Sequence, residues 1–288
     1  MSKSEDSIMI GGVGGSGTRV FAESLLNAGI RSLSDLNSAS DHLGSTLLFK
    51  RTDIFDDIES GRFEMVWSLL EKAFDGGTPP TKEEKSLLKA LANQDRPNHN
   101  SRWLRKRKRS LVRDMKSKRD DSRWFVKEPN LHIITPAVLE LRDDIRMVMV
   151  VRHGVDMVFS GNQQQSNLWG SRFLEEPDLV CDHVSSLRYW CVVHHRILDI
   201  ANRHPDRIRI LSFDQLCQDP EPVLRSLFEF TGIDATDELL RTCSTGVRPP
   251  KSIGRRHGED LSGFSSSDID FVDEFMERIQ CTNKPVNS

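Results

Sequence analysis

Short apolar runs and amphipathic stretches alternate along the chain. Strands are predicted where the apolar runs occur, at residues 7–10, 123–127, 145–151 and 208–213. The run at residues 145–151 is almost continuously apolar, which is typical of a parallel strand buried on both faces. Because helical patterns separate these strands, we expect a three-layer α/β fold with a mainly parallel sheet and right-handed crossovers.

Apolar residues at helical spacing, together with capping signals, predict the helices. The main predicted helices cover residues 18–28, 81–92, 178–203, 220–231 and 267–280, and a short one follows His153. A further helix is expected to begin at Thr135 and Pro136, since threonine is a good N-cap and proline suits the first helical position. The pattern predicts one α/β domain over residues 1–288, with a mostly helical insertion at about residues 46–120.

Composition narrows the class of protein. The 288 residues are 37% hydrophobic, and no run approaches the roughly 20 apolar residues of a membrane-spanning helix, so we expect no membrane span. The polar first ten residues do not resemble a signal peptide, and we expect a cytoplasmic location. Five cysteines without a CxxC pair, and nine histidines without HExxH spacing, predict reduced thiols and no metal site.

Charge is distributed unevenly along the chain. Residues 102–119 carry a local charge of +9, with Asp114 as their single acid, although the whole chain carries −3. The remainder is therefore acidic, and we expect no nucleic-acid partner. The basic segment is interpreted either as a solvated helix face or as a patch that attracts a polyanionic acceptor.

A glycine-rich segment lies between the first predicted strand and the first predicted helix. Five of the seven residues from 11 to 17 are glycine, which lets consecutive backbone N–H groups converge on one anion at a helix N-terminus. Hydroxyl and guanidinium donors in the segment strengthen this interpretation. The predicted anion-binding residues are Gly14, Gly15, Ser16, Gly17, Thr18 and Arg19.

This loop departs from the phosphate loop of nucleotide hydrolases. Gly12 and Gly17 have the Walker A separation, but Thr18 stands at the lysine position and Arg19 at the position of the magnesium-binding hydroxyl. The loop is therefore suited to binding phosphate and poorly suited to metal-assisted phosphoryl transfer. No metal is expected.

A second anion site is predicted after the strand at residues 145–151. Arg152 follows this strand directly, and Ser160 follows Arg152 after about two helical turns. Ligands of open α/β sheets bind at the carboxyl ends of the strands, so the two predicted anion sites should share one crevice.

Taken in order, these motifs resemble those of sulfotransferases that use 3′-phosphoadenosine 5′-phosphosulfate (PAPS) as donor. The resemblance extends over residues 8–257 and rests on residues 15–19, 127–130, 152–163 and 210–233. It implies a P-loop-NTPase-like topology with helical insertions. It also implies that the glycine loop holds the 5′-phosphosulfate and that Arg152 and Ser160 hold the 3′-phosphate.

The resemblance also implies catalytic roles. Lys127 and Arg19 are expected to stabilise charge on the leaving phosphate, and the acceptor is expected to lose its proton to Glu128 or Asp41, with His132 as a third option. Many family members have a lysine where this chain has Gly15, and those that act on small phenols have a histidine base where it has Pro129. The acceptor therefore remains open, as a carbohydrate or another polar compound with a hydroxyl or amine.

A basic loop near residues 248–258 is the last implied element of the donor site. Family members close such a loop over the 3′-phosphate, and the matching residues here are Ser252, Arg255 and Arg256. An adenine nucleotide donor is thus the expected partner.

Two other functions fit parts of the pattern. A nucleotide kinase or NTPase with a degenerate phosphate loop would require magnesium, which a sulfotransferase does not. A non-catalytic nucleotide-binding module would bind adenosine 3′,5′-bisphosphate (PAP) without turnover.

Overall fold

The computed structural model describes residues 7–119 and 122–282. Four parallel strands form its sheet: β1 (Ser7–Gly11), β2 (Phe125–Lys127), β3 (Ile145–Val151) and β4 (Ile208–Ser212). Their spatial order is β2-β1-β3-β4, so β1 lies between β2 and β3. The predicted parallel α/β sheet is confirmed. The expectation of one domain over residues 1–288 stays a prediction, and residues 1–6, 120–121 and 283–288 lie outside the described residues.

Fourteen helices accompany the sheet in the described ranges. They are α1 (Thr18–Asn27), α2 (Leu43–Phe49), α3 (Ile54–Glu59), α4 (Phe63–Asp75), α5 (Lys82–Asn93), α6 (Ser101–Lys116), α7 (Leu131–Leu141), α8 (Gly154–Val158), α9 (Gln164–Phe173), α10 (His183–Arg203), α11 (Phe213–Gln218), α12 (Pro220–Thr231), α13 (Asp237–Gly246) and α14 (Ser266–Thr282). A short 3₁₀ helix spans Arg255–Gly258. None of these helices is long and apolar enough to cross a membrane.

The sheet is buried on both faces. Successive side chains of a strand point to opposite faces, and in β1 the side chains of Ile8 and Ile10 join one apolar cluster while Met9 joins the other. The first cluster includes Phe21 of α1 and Phe228 of α12. The second is larger and reaches helices α4 to α10 and α14. This burial explains the apolar runs of the strands and gives the expected three layers.

Helices α2 to α6 lie between α1 and β2. Residues 76–81 connect α4 to α5. Phe74 of α4 stacks on Trp124, just before β2, with ring centroids 4.1 Å apart. The insertion therefore packs directly on the edge of the sheet.

Two predicted helix starts are wrong. Helix α7 begins at Leu131, so Thr135 lies inside it and donates from Oγ1 to the Leu131 carbonyl oxygen, while Pro136 is an internal residue. The buried face of α7 outweighs the proline signal. Helix α10 begins at His183 and not at residue 178, because Asp182 and Ser185 form a capping box there.

Candidate active site

A cleft of about 560 Å³ opens at the carboxyl ends of the strands. Residues from several predicted sites meet in it, as expected for an open parallel sheet. Those that line it are Gly14, Gly15, Gly17, Thr18, Arg19, Asp41, Lys127 and Arg152. Since β2 and β3 flank β1, Lys127 at the end of β2 and Arg152 after β3 lie on opposite sides of the glycine loop.

The glycine loop follows β1 and turns into α1 within a confined space. Gly17 has a φ of 86° and is the N-cap of α1, and a Cβ on it would lie 2.2 Å from the ring of Phe213. A Cβ on Gly12 would lie 2.2 Å from the carbonyl oxygen of Val150. Both positions therefore require glycine, and the loop approaches β3 and α11 as closely as backbone can.

Polar side chains of the loop surround the N-terminus of α1. Thr18 is the first residue of α1, and Arg19 is exposed and lines the cleft. Ser16 is buried under the loop, and its hydroxyl has no hydrogen-bond partner among the residues that the structure describes. Together with the positive end of α1, these groups form a site for an anion.

Lys127 and Asp41 form an ion pair inside the cleft. The Lys127 ammonium donates to Oδ1 of Asp41 and, at 2.9 Å, to the carbonyl oxygen of Ala39. Asn37 Nδ2 donates to Asp41 Oδ2 at 2.8 Å. Lys127 is 3% exposed. Its position is therefore fixed by the loop that precedes α2, which supplies both acceptors.

The other two candidate bases lie outside the cleft lining. Glu128 is fully buried, and its Oε1 accepts from the backbone and side-chain nitrogens of Asn130 at 2.9 and 2.7 Å. Burial raises the pKa of Glu128. His132 is also buried, its Nε2 lies 2.9 Å from the Tyr189 hydroxyl, and burial lowers its pKa to about 3. Neither side chain belongs to the residues that line the cleft.

Arg152 forms the other cationic side of the cleft. Its guanidinium is 6% exposed and donates through Nη2 to the backbone carbonyl oxygen of Ser252, while its Nε lacks a partner in the described part of the chain. Ser160 is half-buried two turns further on and accepts from the Asn162 amide at 3.3 Å. Neither Ser160 nor Ser252 lines the cleft, although the backbone of Ser252 contacts Arg152.

The basic loop near residues 248–258, called the tail loop below, is bound to α8 through a buried carboxylate. Asp156, which is 0% exposed, accepts from the backbone nitrogens of Gly254 at 2.7 Å and Arg256 at 2.9 Å, and from Arg256 Nη1 at 3.0 Å. Arg255 donates to the carbonyl oxygen of Phe159. The two predicted arginines thus bind the protein itself and hold the loop against the segment between Arg152 and Ser160.

Several residues of the cleft were not predicted. They are Lys50, Asn162, Gln164, Gln165, Phe213 and Arg248. The run of three glutamines at residues 163–165, shortly after Ser160, was the available signal for two of them. Within the described ranges, no group of three His, Cys, Asp or Glu side chains is arranged to hold a metal ion.

Comparison with known proteins identifies the family. A family model described as "Sulfotransferase family" matches residues 7–237. No curated protein matches. Among solved structures, the sulfotransferase domain of the Synechococcus PCC 7002 olefin synthase is 17% identical, with a TM-score of 0.48 and 94% of each chain covered.

Two further structures are more distant. A sulfotransferase from Mycobacterium avium is 14% identical with a TM-score of 0.44, over 98% of this chain and 77% of that one. A retinol dehydratase solved with retinol and PAP is 14% identical with a TM-score of 0.35, over 100% of this chain and 84% of that one. The family match over most of the chain, on a parallel sheet whose first strand leads through a glycine loop into a helix, places the chain in the sulfotransferase family, whose members transfer sulfuryl groups.

Proposed function

We propose that this sulfotransferase uses PAPS as its donor and transfers the sulfuryl group to a hydroxyl or amine. One observation carries the proposal: Lys127 and Arg152 line one cleft from opposite sides of a glycine loop. PAPS carries an anionic group at each end of its ribose. A phosphate-binding loop between two separate cations suits such a nucleotide.

Buried donors without partners support the fit of the donor. Ser16 Oγ and Arg152 Nε lack hydrogen-bond partners among the described residues, and a bound anion would satisfy both. We assign the 5′-phosphosulfate to the glycine loop with Ser16, Thr18 and Arg19. We assign the 3′-phosphate to Arg152.

The remaining predicted donor residues surround the 3′-phosphate site in this proposal. The backbone carbonyl oxygen of Ser252 accepts a hydrogen bond from Arg152, and Ser160 is assigned to this site by the resemblance. Arg255 and Arg256 are assigned to closing the tail loop, because their side chains bind Phe159 and Asp156. Arg248 lines the cleft and is the cation of this loop that faces the donor.

The transfer step needs charge stabilisation and a proton acceptor. When the donor is bound, an oxygen or nitrogen of the acceptor bonds to sulfur, the bond from sulfur to the bridging phosphate oxygen breaks, and its electron pair leaves with PAP. Lys127 has one ammonium hydrogen beyond those given to Asp41 and Ala39, and we propose that it donates to the bridging oxygen. Arg19 and the loop amides stabilise the same growing charge.

We propose Asp41 as the group that takes the acceptor's proton. It lines the cleft beside Lys127, whereas Glu128 and His132 do not. Its hydrogen bonds with Lys127 and Asn37 fix the carboxylate, and each oxygen keeps a lone pair for the proton. Glu128 is proposed instead as a residue that holds the turn after β2.

Donor binding and transfer can be tested separately. PAP and AMP are titrated by calorimetry, and transfer of labelled sulfate from PAPS to a panel of hydroxyl and amine compounds is measured. We expect PAP to bind far more tightly than AMP. We expect Asp41→Asn to keep PAP affinity within about threefold and to lose transfer by about 10²-fold, the contribution of a general base.

The matched control is Lys89→Ala, a substitution at an exposed residue of α5. It should change neither PAP affinity nor the rate of sulfuryl transfer. The proposal fails if PAP does not bind, or if PAPS binds but no labelled sulfate is transferred or released as inorganic sulfate. It also fails in its assignment of Asp41 if Asp41→Asn transfers sulfate at the wild-type rate.

A further inference from the structure

Beyond Lys127, the cleft is lined by polar side chains that have no role in donor binding. They are Lys50, Asn162, Gln164 and Gln165. Lys50 is the C-cap of α2, and the other three lie at or just before the start of α9. Three carboxamides and one ammonium group suit a polar, charged ligand and not a large apolar one.

Gln165 lies between the glycine loop and the turn that follows Lys127, the last residue of β2. Its Nε2 donates to the carbonyl oxygen of Pro129 at 2.6 Å, two residues after Lys127, and a Cβ on Gly14 would lie 3.6 Å from its Cδ. The bond to Pro129 fixes the orientation of the amide, so that Oε1 is a hydrogen-bond acceptor. Gln165 is 6% exposed, and its Oε1 has no partner within the described ranges. A ligand O–H or N–H would satisfy it at the point of transfer.

Lys50 supplies a cation that no carboxylate neutralises. Among the described residues, its ammonium contacts only the neutral Oε1 of Gln164, at 3.3 Å. By contrast Asp41, the carboxylate in the described lining of the cleft, is already paired with Lys127. Burial, together with the nearby cations Lys50 and Arg96, lowers the pKa of His99 to about 4. Positive charge is therefore concentrated on this side of the cleft.

We propose, resting on the proposed function, that the acceptor carries an anionic group which Lys50 binds, next to a hydroxyl or amine that Gln165 orients toward the sulfuryl group. Gln164 holds the Lys50 ammonium at the rim and Asn162 adds an adjacent amide. A carboxylate, phosphate or sulfate has the chemistry that an unpaired ammonium recognises.

The exposed face of α6 carries further positive charge on the protein surface. Its exposed cations are Arg102, Arg105, Lys106, Arg109, Arg113 and Lys116. None of them forms an ion pair with a carboxylate in the part of the chain that the structure describes. Helix α6 is joined to the loop that carries Asp41, through Arg107 to Asp35 at 2.7 Å. Its field therefore raises the local concentration of an anionic acceptor.

Matched acceptors test the proposal. The probes are 4-hydroxybutanoate with its primary amide and D-glucuronate with D-glucuronamide, which differ only in the charge of one group. Transfer from labelled PAPS is measured for each, together with calorimetric binding of each probe to the PAP-loaded protein. We expect the carboxylates to be favoured by at least about tenfold in kcat/KM or in affinity, the value of a charge-assisted hydrogen bond.

The variants Lys50→Gln and Lys50→Arg test whether Lys50 is the group that recognises the charge of the acceptor. Lys50→Gln should abolish the preference and Lys50→Arg should keep most of it, while both bind PAP as the wild type does. Lys89→Gln, at an exposed residue of α5, should change the preference less than about twofold. The inference is overturned if amides perform as well as carboxylates, if no carboxylate probe binds the PAP-loaded protein, or if Lys50→Gln keeps the preference. Loss of PAP binding by the wild type would instead overturn the proposed function.

Discussion

The variant Lys127→Ala distinguishes a catalytic role of Lys127 from a role in donor binding alone. Its ammonium is held by Ala39 and Asp41, so its third hydrogen is aimed without further loss of side-chain freedom. If that hydrogen meets charge which develops only on the bridging oxygen, its loss should lower kcat by about 10²–10³, or roughly 3–4 kcal/mol of transition-state stabilisation. The dissociation constant of PAPS should change much less, because the glycine loop and Arg152 hold the charge of the ground state.

The pairing with Asp41 requires a second variant. In Lys127→Ala the Asp41 carboxylate loses its cation and would repel the anionic donor, which would raise the donor dissociation constant for a separate reason. Lys127→Ala combined with Asp41→Asn removes this repulsion. The double variant should therefore recover donor affinity, while its kcat should be lower than that of Asp41→Asn alone.

Two measurements decide the outcome. Calorimetry with PAP gives donor affinity, and hydrolysis of labelled PAPS gives turnover without a known acceptor, with circular dichroism to establish that each variant is folded. Full turnover in Lys127→Ala, or equal losses of donor binding and turnover that persist in the double variant, would refute the catalytic assignment of Lys127.

Further predictions address the donor site and the metal requirement. Arg152→Ala should weaken PAP binding by about 2–3 kcal/mol and leave AMP binding nearly unchanged in calorimetry, since only PAP has the 3′-phosphate; equal losses would contradict the assignment. Transfer from PAPS should continue in EDTA, because the loop lacks the lysine and hydroxyl of the Walker pattern; activity lost on chelation and restored by magnesium would favour a kinase. Asp156→Asn should raise the KM for PAPS several-fold with little change in kcat, because it frees the tail loop while leaving Lys127 in place; an unchanged KM would show that the loop does not cover the donor. Raising the salt concentration from about 50 to 200 mM should raise the acceptor KM and leave PAPS hydrolysis nearly constant; a salt-independent KM would exclude electrostatic attraction by α6.

The sequence predicted the sheet, and the position of a glycine loop after its first strand, because both depend on local patterns. A parallel strand that is buried on both faces must carry apolar residues. Gly12 and Gly17 must be glycine, because an added Cβ would lie 2.2 Å from Val150 and from Phe213, respectively. Lys127 and Arg152 could be named as candidates because Lys127 ends one strand and Arg152 directly follows another. The start of α7 was misjudged because a proline that suits a first turn also fits inside a helix whose packing compensates for it.

Side chains brought together by distant elements were not predictable in the same way. Lys50 ends one helix and Gln165 begins another, more than a hundred residues later, and only tertiary packing places both in the cleft. Likewise, no local signal distinguishes Asp41, which reaches Lys127, from Glu128, which follows Lys127 but turns into the protein toward Asn130. Lys127 is the last residue of β2 and Glu128 lies just after it, so the two adjacent side chains lie in different surroundings.

The strand order has a consequence for how the enzyme folds. Ile8 of β1 pairs with Phe125 and Arg146, both more than a hundred residues further along, so β1 has no sheet partner until the helical insertion and β2 have been synthesised. Contacts of such large sequence separation close slowly, whereas α4, α5 and α6 pack on one another locally. We therefore expect the glycine loop after β1 to be among the last elements to take its shape during folding. A mutation that slows docking of the insertion should lower the yield of active enzyme without touching the active site.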